Sequence, residues 1–198
     1  MKNKSFIGFI IAFLLITVLS SCSTKLNKMR QDVEYKWSSV ENQYQRRTDT
    51  FKSILARVKQ IQEIDNLEQQ SQALQQLQAV ADEAEALNKI KVDINDEKAL
   101  NSFISSQDAL REKMLNAIDK AKEVFPSIKT NDAINSLLMS LEGSENRITV
   151  AKQEYISAVK DYNACVNSGS GKMASITTDH KELPLFQSKD YTTPNLDY

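Results

Sequence analysis

Cys22 is the residue whose type and position in the chain best fit a defined chemical reaction. Two basic residues, Lys2 and Lys4, precede an apolar run of 14 residues from 6 to 19, and serines follow at 20 and 21. This order of basic, apolar and small residues is typical of a secretory signal that is cleaved on export. The apolar run is shorter than the roughly 20 residues that a membrane-spanning helix needs. Because only a thiol can form a thioether, Cys22 is a candidate for lipidation once residues 1–21 have been removed.

The segment Leu19-Ser20-Ser21-Cys22 resembles a bacterial lipobox. The resemblance implies that residues 1–21 are a lipoprotein signal peptide, that Cys22 carries acyl chains such as palmitate, and that residues 22–25 are a short tether. Membrane lipid would then hold the protein on the extracytoplasmic side, which faces the periplasm in a two-membrane cell. The alternative is an uncleaved N-terminal anchor helix with an incidental thiol, which also places the protein at a membrane surface.

The composition indicates one all-α domain without affinity for polyanions. Once the signal is removed, the remaining 177 residues carry 23 basic and 26 acidic side chains, a net charge of −3. A weakly acidic protein is not attracted to the phosphates of nucleic acid, so we expect no nucleic-acid partner. Between residues 26 and 166 only Gly143 and Pro126 interrupt the chain, and these are fewer turn residues than β or mixed folds need.

Apolar residues at steps of three and four predict four long helices. The first is expected to start near Leu26, and the others to begin at caps formed by Asp65 or Asn66, by the turn at residues 93–96, and by Thr130 or Asn131. Long helices with short links favour an antiparallel up-down four-helix bundle over residues 26–166. Residues 167–198 begin with a Ser/Gly stop and show no helical period, so we expect an irregular tail, either loose or docked on the bundle surface.

The sequence contains no apparent constellation of catalytic or metal-binding residues. His180 is the only histidine, so neither a zinc site nor a His-based triad can be assembled around it. Glu142 and Glu145 lie on one helix, but a carboxylate metal site in a bundle needs Glu-x-x-His pairs. We therefore expect no enzymatic activity, no cofactor and no metal. Cys165 lies on the apolar face of the last helix, which favours a buried structural thiol over a disulfide between two copies.

Two polar interruptions of the apolar stripes are expected to face each other. The stripe of the first helix lapses at Arg47, between Tyr44 and Phe51, and that of the last helix lapses at Glu145. Both lie near the middle of their helices, so antiparallel neighbours would bring them to one level. We predict a partly buried Arg47–Glu145 pair that fixes the helix register. The alternatives are that both side chains point to water, or that they bind a partner's charge.

The same alignment leads to predictions about neighbouring residues. Arg46 with Glu142 is the fallback pair, one helical step away. Trp37 lies ten residues before Arg47, and Tyr155 lies ten residues after Glu145. Their rings are therefore expected to meet, with at least part of the Trp37 ring buried. Gly143 in mid-helix costs about 1 kcal/mol relative to alanine, which suggests that a neighbouring backbone approaches it closely.

Three segments resemble the LemA family and occur in the order found there. They are WSSVENQYQRRTD at 37–49, EVFPSIKTN at 123–131, and LEGSENRI at 141–148 followed by Tyr155 and the pair Tyr162-Asn163. The resemblance implies a membrane-associated bacterial protein built on an antiparallel helical bundle, with no established enzymatic activity. The chain departs from its relatives in carrying a lipobox, and in its tail only residues 183–186 and Tyr191 resemble theirs.

These observations together predict a membrane-anchored, non-enzymatic interaction or scaffold protein of the bacterial cell envelope. Its partners would be membrane lipid, through the acyl chains at Cys22, and an envelope protein that the sequence does not identify. The alternative function is that of a periplasmic holdase-like protein, which binds unfolded or apolar clients. A holdase needs an exposed apolar groove, whereas a scaffold can have a well-covered surface.

Overall fold

The protein is all-helical wherever its structure is described. The computed structural model describes the backbone of residues 2–61 and 66–186, and the side chains of residues 22–61, 66–175 and 178–186. In this part of the chain there are five α-helices and no strand, which confirms the predicted all-α class. The helices are α1 (Lys2–Val58), α2 (Leu67–Asn88), α3 (Glu97–Val124), α4 (Asp132–Asn167) and α5 (Gly169–Thr177), with a 3₁₀ turn at Pro126–Thr130 between α3 and α4.

Two of the predicted caps form as expected, and one of the two candidates for the third, Asn66, does not act as a cap. Asp96 accepts hydrogen bonds from the backbone N–H groups of the first turn of α3, and Asn131 accepts one from Ile134 N at 3.1 Å. These side chains satisfy donors that have no partner within the helix. Asn66 precedes α2 in the left-handed conformation, with φ of 60°, and its side chain makes no capping hydrogen bond. Asp65, the other candidate, lies outside the described residues.

Helix α1 begins at Lys2, so the predicted start near Leu26 is wrong. Residues 22–25, predicted as a tether, belong to the same continuous helix. No proline lies between residues 2 and 58, so nothing in the sequence forces the helix to end before the bundle. The side chains of residues 2–21, where the signal peptide is predicted, lie outside the described part. In the part that is described, no helix contains a stretch long and apolar enough to cross a membrane.

The long helices pack in two main pairs, α1 with α4 and α2 with α3, and α1 also contacts α2. Along the first pair, Lys36 Nζ lies 2.9 Å from Glu154 Oε2, and Arg47 Nη1 lies 3.4 Å from Glu145 Oε1. Residue numbers therefore rise along α1 as they fall along α4. The two helices run in opposite directions over this contact.

Buried apolar side chains form two separate cores. The Phe51 core draws on the C-terminal end of α1, on α2, on the second half of α3 and on the start of α4. The Trp37 core draws on α1 between residues 26 and 44, on the start of α3, on the second half of α4, and on α5 with the segment after it. Helices α1, α3 and α4 therefore cross both cores. Helix α2 contributes only to the Phe51 core, and α5 only to the Trp37 core.

The expectation of an irregular chain after residue 171 is wrong, because α5 occupies residues 169–177. Helix α4 does end at Asn167, and Ser168 then caps α5 by accepting a hydrogen bond from Gly171 N at 3.0 Å. A Cβ at Gly171 would lie 1.9 Å from the backbone oxygen of Cys165, so only glycine allows α5 to turn back so closely. Residues 178–186 then follow without helix, and residues 187–198, including Tyr191, lie outside the described part.

Gly143 does not mark a close approach of a neighbouring backbone, so that expectation is also wrong. The nearest atom to a Cβ built there is Arg147 Nη1, at 3.4 Å, and it belongs to a long side chain of the same helix. A flexible guanidinium can move aside, so no neighbouring backbone requires glycine at this position.

Candidate functional site

A layer of polar side chains separates the two cores. On α1, α3 and α4 it falls where one core gives way to the other. Buried positions in the middle of a domain are usually apolar, so this layer is an unusual feature of the fold. We call it the polar layer, and it consists of Arg47, Thr48, Asn88, Gln107, Arg111 and Glu145.

Arg47 is the centre of the polar layer. Only 1% of its side chain is exposed, against 13% for its partner Glu145. Its Nη2 donates to the backbone oxygen of Gln107 at 3.1 Å and to Gln107 Oε1 at 2.6 Å. The guanidinium carbon also lies 5.1 Å from the centre of the Tyr44 ring, within range of a cation–π interaction. Arg47 thereby connects α1 to α4 through a charge and to α3 through hydrogen bonds.

The other members of the polar layer extend the network to all four long helices. Glu145 Oε2 lies 3.5 Å from Arg111 Nε, so one carboxylate is shared by two guanidinium groups. Asn88, the last residue of α2, accepts from Gln107 Nε2 at 3.2 Å and donates to Thr48 Oγ1 at 2.8 Å. Because every contact joins different helices, sliding one helix past another would break several of them together.

A second buried ion pair lies close to the polar layer, between α3 and α4. Lys152 Nζ lies 2.9 Å from Asp108 Oδ1, and the lysine side chain is buried. The same Nζ lies 5.9 Å from the centre of the Tyr44 ring, whose other close cation is Arg47. Three buried cations, Arg47, Arg111 and Lys152, therefore each have a carboxylate partner, as buried charges require.

The structure brings Arg47 and Glu145 together, as their positions in the sequence indicated. In the fallback pair, Arg46 is exposed and Glu142 only partly buried. Sequence reasoning missed Gln107 and Arg111, although both fall on the apolar stripe of α3. Each of them is a polar residue at a position where the apolar stripe of α3 calls for an apolar one, and Arg47 was recognised in the same way on α1.

An aromatic cluster fills the centre of the Trp37 core. The Trp37 ring is 5% exposed, and it meets the Tyr155 ring edge-on with 5.3 Å between centroids, which confirms their predicted contact. Phe103 packs against Trp37 at 5.9 Å and against Tyr44 at 5.8 Å. Burial raises the pKa of Tyr155 to about 12, because an ionised phenol would lose its hydration there.

The segment at residues 178–186 is attached to this cluster and to the start of α1. Phe186 stacks on Tyr155 with 5.6 Å between ring centroids and an interplanar angle of 8°. His180 is hydrogen-bonded through Nδ1 to Tyr162 Oη and through Nε2 to Asn27 Oδ1, both at 3.1 Å. Burial raises the pKa of the Tyr162 phenol above its usual value. The only histidine of the chain thus holds the segment in place.

Both cysteines are free thiols that lie half-buried against the Trp37 core. Cys22 is on α1, four residues before Leu26, which is the first fully buried core residue in the part of that helix whose side chains are described. Cys165 is near the end of α4. Among the described residues, no three His, Cys, Asp or Glu side chains are grouped as a metal site would require.

Over its described residues the protein has only helices as regular structure, with a buried polar layer between two cores. The sequence model of the LemA family matches residues 36–198, which include the polar layer, the aromatic cluster and the segment at residues 178–186. The chain belongs to the LemA family. No curated protein matches it significantly.

Proposed function

We propose that the protein is a non-enzymatic scaffold of the bacterial cell envelope, anchored to membrane lipid by acyl chains at Cys22. It would present an antiparallel four-helix bundle on the extracytoplasmic side and bind an envelope protein there. Residues 1–21 are removed in this proposal, and no cofactor is needed. Membership of the LemA family agrees with it but does not specify a role.

The position of Cys22 relative to the bundle is the observation that carries the proposal. Cys22 packs against the Trp37 core, and α1 continues from there to Val58. At about 1.5 Å per residue, this part of α1 is roughly 55 Å long. Acyl chains at Cys22 would therefore fix one end of the molecule at the membrane and leave the Phe51 core at the far end. A rod held at one end suits a protein that reaches a partner.

The polar layer supports a structural rather than a catalytic role. Arg47 and Arg111 are nearly inaccessible, and both are paired with Glu145. A substrate could reach these groups only if the helices separated. Their contacts join α1, α3 and α4, which is what a device for fixing helix register requires.

The holdase alternative needs exposed apolar surface, and the main apolar surface of the Trp37 core is covered. Leu183 and Phe186 are buried in that core. A dye whose fluorescence rises on apolar surfaces should therefore bind the folded protein weakly at neutral pH. Strong binding without loss of helix content would favour a holdase over a scaffold.

Metabolic labelling with an alkyne-bearing palmitate tests the anchor. The wild-type chain should incorporate the label and migrate as a processed protein, whereas Cys22→Ala should stay unlabelled and unprocessed. Cys165→Ala is the matched control, because it removes the only other thiol of the chain and should be labelled like wild type. Labelling of Cys22→Ala, or a wild-type chain with an intact N-terminus, would refute anchoring at Cys22.

Photo-cross-linking in cells tests the scaffold role. Tyr35 and Met139 are exposed large side chains, the first beside the Trp37 core and the second beside the Phe51 core. A photoreactive amino acid at each position should give discrete adducts with an envelope protein. The same adducts should weaken when Cys22→Ala releases the chain from the membrane. A chain that gives no adduct at exposed positions of either half would contradict a scaffold.

A further inference from the structure

Residues 180–186 lie in a groove that binds an extended segment by two distinct means. The first is the side-chain amide of Asn163 on α4, which contacts the backbone of Leu183 twice. Asn163 Nδ2 donates to Leu183 O at 2.8 Å, and Leu183 N donates to Asn163 Oδ1 at 2.9 Å. A pair of bonds to one backbone unit does not depend on the side chain at that position, so it recognises extended chain in general.

The second means is burial of two side chains three positions apart. Leu183 and Phe186 are both almost fully buried in the Trp37 core, and Phe186 lies flat against Tyr155. Leu185, between them, is exposed. The groove therefore selects an aliphatic residue followed, three residues later, by an aromatic one. It does not restrict the type of the residue just before the aromatic one, because that side chain is exposed.

The groove would remain apolar if the segment left it. Its floor includes Tyr155 of α4, which packs against Trp37 of α1, and Trp37 in turn packs against Phe103 of α3. The segment itself has no helix or strand that would be lost on leaving. Its attachment consists of side-chain burial, the two bonds to Asn163, the contacts of His180 and a hydrogen bond that Asn167 Nδ2 donates to the side chain of Glu182. An attachment of this size can be replaced by an equivalent segment of another chain.

We propose that residues 180–186 are a displaceable occupant of a peptide-binding groove between α1 and α4, and that this groove takes an extended segment of a partner protein with the same aliphatic and aromatic spacing. The proposal specifies the partner chemistry of the scaffold described above, but it does not depend on lipidation of Cys22. The segment of the chain itself competes with the partner at the high effective concentration that a short connection gives. It thereby prevents weak or incorrect ligands from binding.

Trp37 is the only tryptophan, and it packs against Tyr155, on which Phe186 stacks, so its fluorescence should change when the groove is emptied or filled. The test uses the full chain in detergent and a synthetic peptide, TDHKELPLF, which reproduces residues 178–186. The Leu183→Ala, Phe186→Ala double variant should bind this peptide at least tenfold more tightly than the wild-type chain, because its own segment no longer competes. A peptide with alanine at both positions should not bind.

Adding Asn163→Ala to the double variant should weaken peptide binding at least tenfold, with helix content measured in parallel by circular dichroism. Failure of the double variant to bind the peptide, while it remains folded, would overturn the proposal. Equally tight binding of the peptide with two alanines and of the unchanged peptide would also overturn the proposal. If the wild-type chain forms a dimer that the double variant does not, the occupant is the segment of a second copy and the partner proposal is wrong. Palmitate labelling is independent of all these outcomes, so it distinguishes failure of the groove from failure of the anchor.

Discussion

Arg47 and Glu145 meet across α1 and α4 at the level where the two hydrophobic cores meet, with 3.4 Å between Nη1 and Oε1. Burial of two charges costs hydration energy, so such a pair adds little net stability compared with apolar residues of the same size. Its value lies in specificity, because a shift of α4 by one turn would place the carboxylate beside an apolar core. The second contact of Glu145, to Arg111 on α3, makes this specificity a property of three helices.

Removal of one charge should be much more harmful than removal of both. Arg47→Met and Glu145→Leu should each cost up to about 3–5 kcal/mol, because each removes a buried charge from the opposite charge that it contacts. Glu145→Leu should be the worse of the two, since Glu145 keeps its contact with Arg111 in Arg47→Met, whereas Arg47 in Glu145→Leu is left with its hydrogen bonds to the uncharged Gln107. The double variant should be more stable than the sum of the single effects predicts, by roughly 1–3 kcal/mol. Urea unfolding of the four proteins measures this coupling.

The matched control for this cycle is the ion pair of Lys52 with Glu85, which joins α1 to α2 on the surface. Both side chains are well exposed, so water and salt screen their interaction. Lys52→Met with Glu85→Leu should show much weaker coupling. Additive effects at Arg47 and Glu145 would mean that they do not interact, and the register argument would fail with them.

Trp37→Ala should destabilise the protein strongly. The ring is buried and touches two other aromatic rings, and truncation of such a side chain costs about 3–5 kcal/mol. Tyr35→Ala is the control on the same helix, because 70% of Tyr35 is exposed. Thermal unfolding should show a large fall in Tm for the first variant and almost none for the second. Similar small shifts for both would contradict the packing of the Trp37 core.

Tyr155 should make the protein sensitive to alkaline pH. Its pKa is about 12 in the folded protein and about 10 when unfolded, so burial favours the neutral phenol. Below pH 10 the phenol is neutral in both the folded and the unfolded chain, so the difference in pKa does not change the free energy of unfolding there. Between pH 10 and pH 12 the unfolded chain ionises first, and stability falls by about 2 kcal/mol. Tyr155→Phe should abolish this part of the alkaline loss.

At neutral pH the wild-type chain and Tyr155→Phe differ by no hydrogen bond, because Tyr155 Oη has no hydrogen-bond partner among the described residues. Tyr155→Phe should therefore change stability little at pH 7. Tyr35→Phe, at an exposed position, should leave the alkaline loss as it is in wild type. Urea unfolding at pH 7, 10 and 11.5 measures all three proteins. Identical alkaline profiles for wild type and Tyr155→Phe would show that Tyr155 is not the group responsible.

Three glycines should respond differently to alanine. At Gly171 the added Cβ would overlap the backbone oxygens of Cys165 and Val166, so Gly171→Ala should displace α5 and lower Tm. Gly169→Ala meets no atom within 4 Å and should be tolerated. Gly143→Ala, facing only the mobile end of Arg147, should stabilise α4 by up to about 1 kcal/mol. Differential scanning calorimetry measures the order, and a stable Gly171→Ala variant would contradict the close return of α5.

The sequence identified the long helices because their apolar stripes repeat at helical spacing and the caps at Asp96 and Asn131 mark their starts. Arg47 and Glu145 could be paired because each interrupts such a stripe. Gln107 also interrupts an apolar stripe, but its role could not be predicted, since its backbone oxygen and its side-chain oxygen both accept from Arg47 only in the folded arrangement. Helix α5 was missed because glycine and serine have poor helix propensity, and the burial of Ala174 overrides it.

The polar layer also divides the protein into two regions that we expect to open independently. A local separation of helices in the Phe51 core would stop at the polar layer, because water admitted there hydrates Arg47 and Glu145 instead of apolar side chains. The Trp37 core would stay closed behind it. Amide protons of α2, which belongs to the Phe51 core alone, should then exchange with solvent together and faster than those around Tyr155. We therefore expect the part of the molecule next to Cys22 to keep its structure while the other end opens.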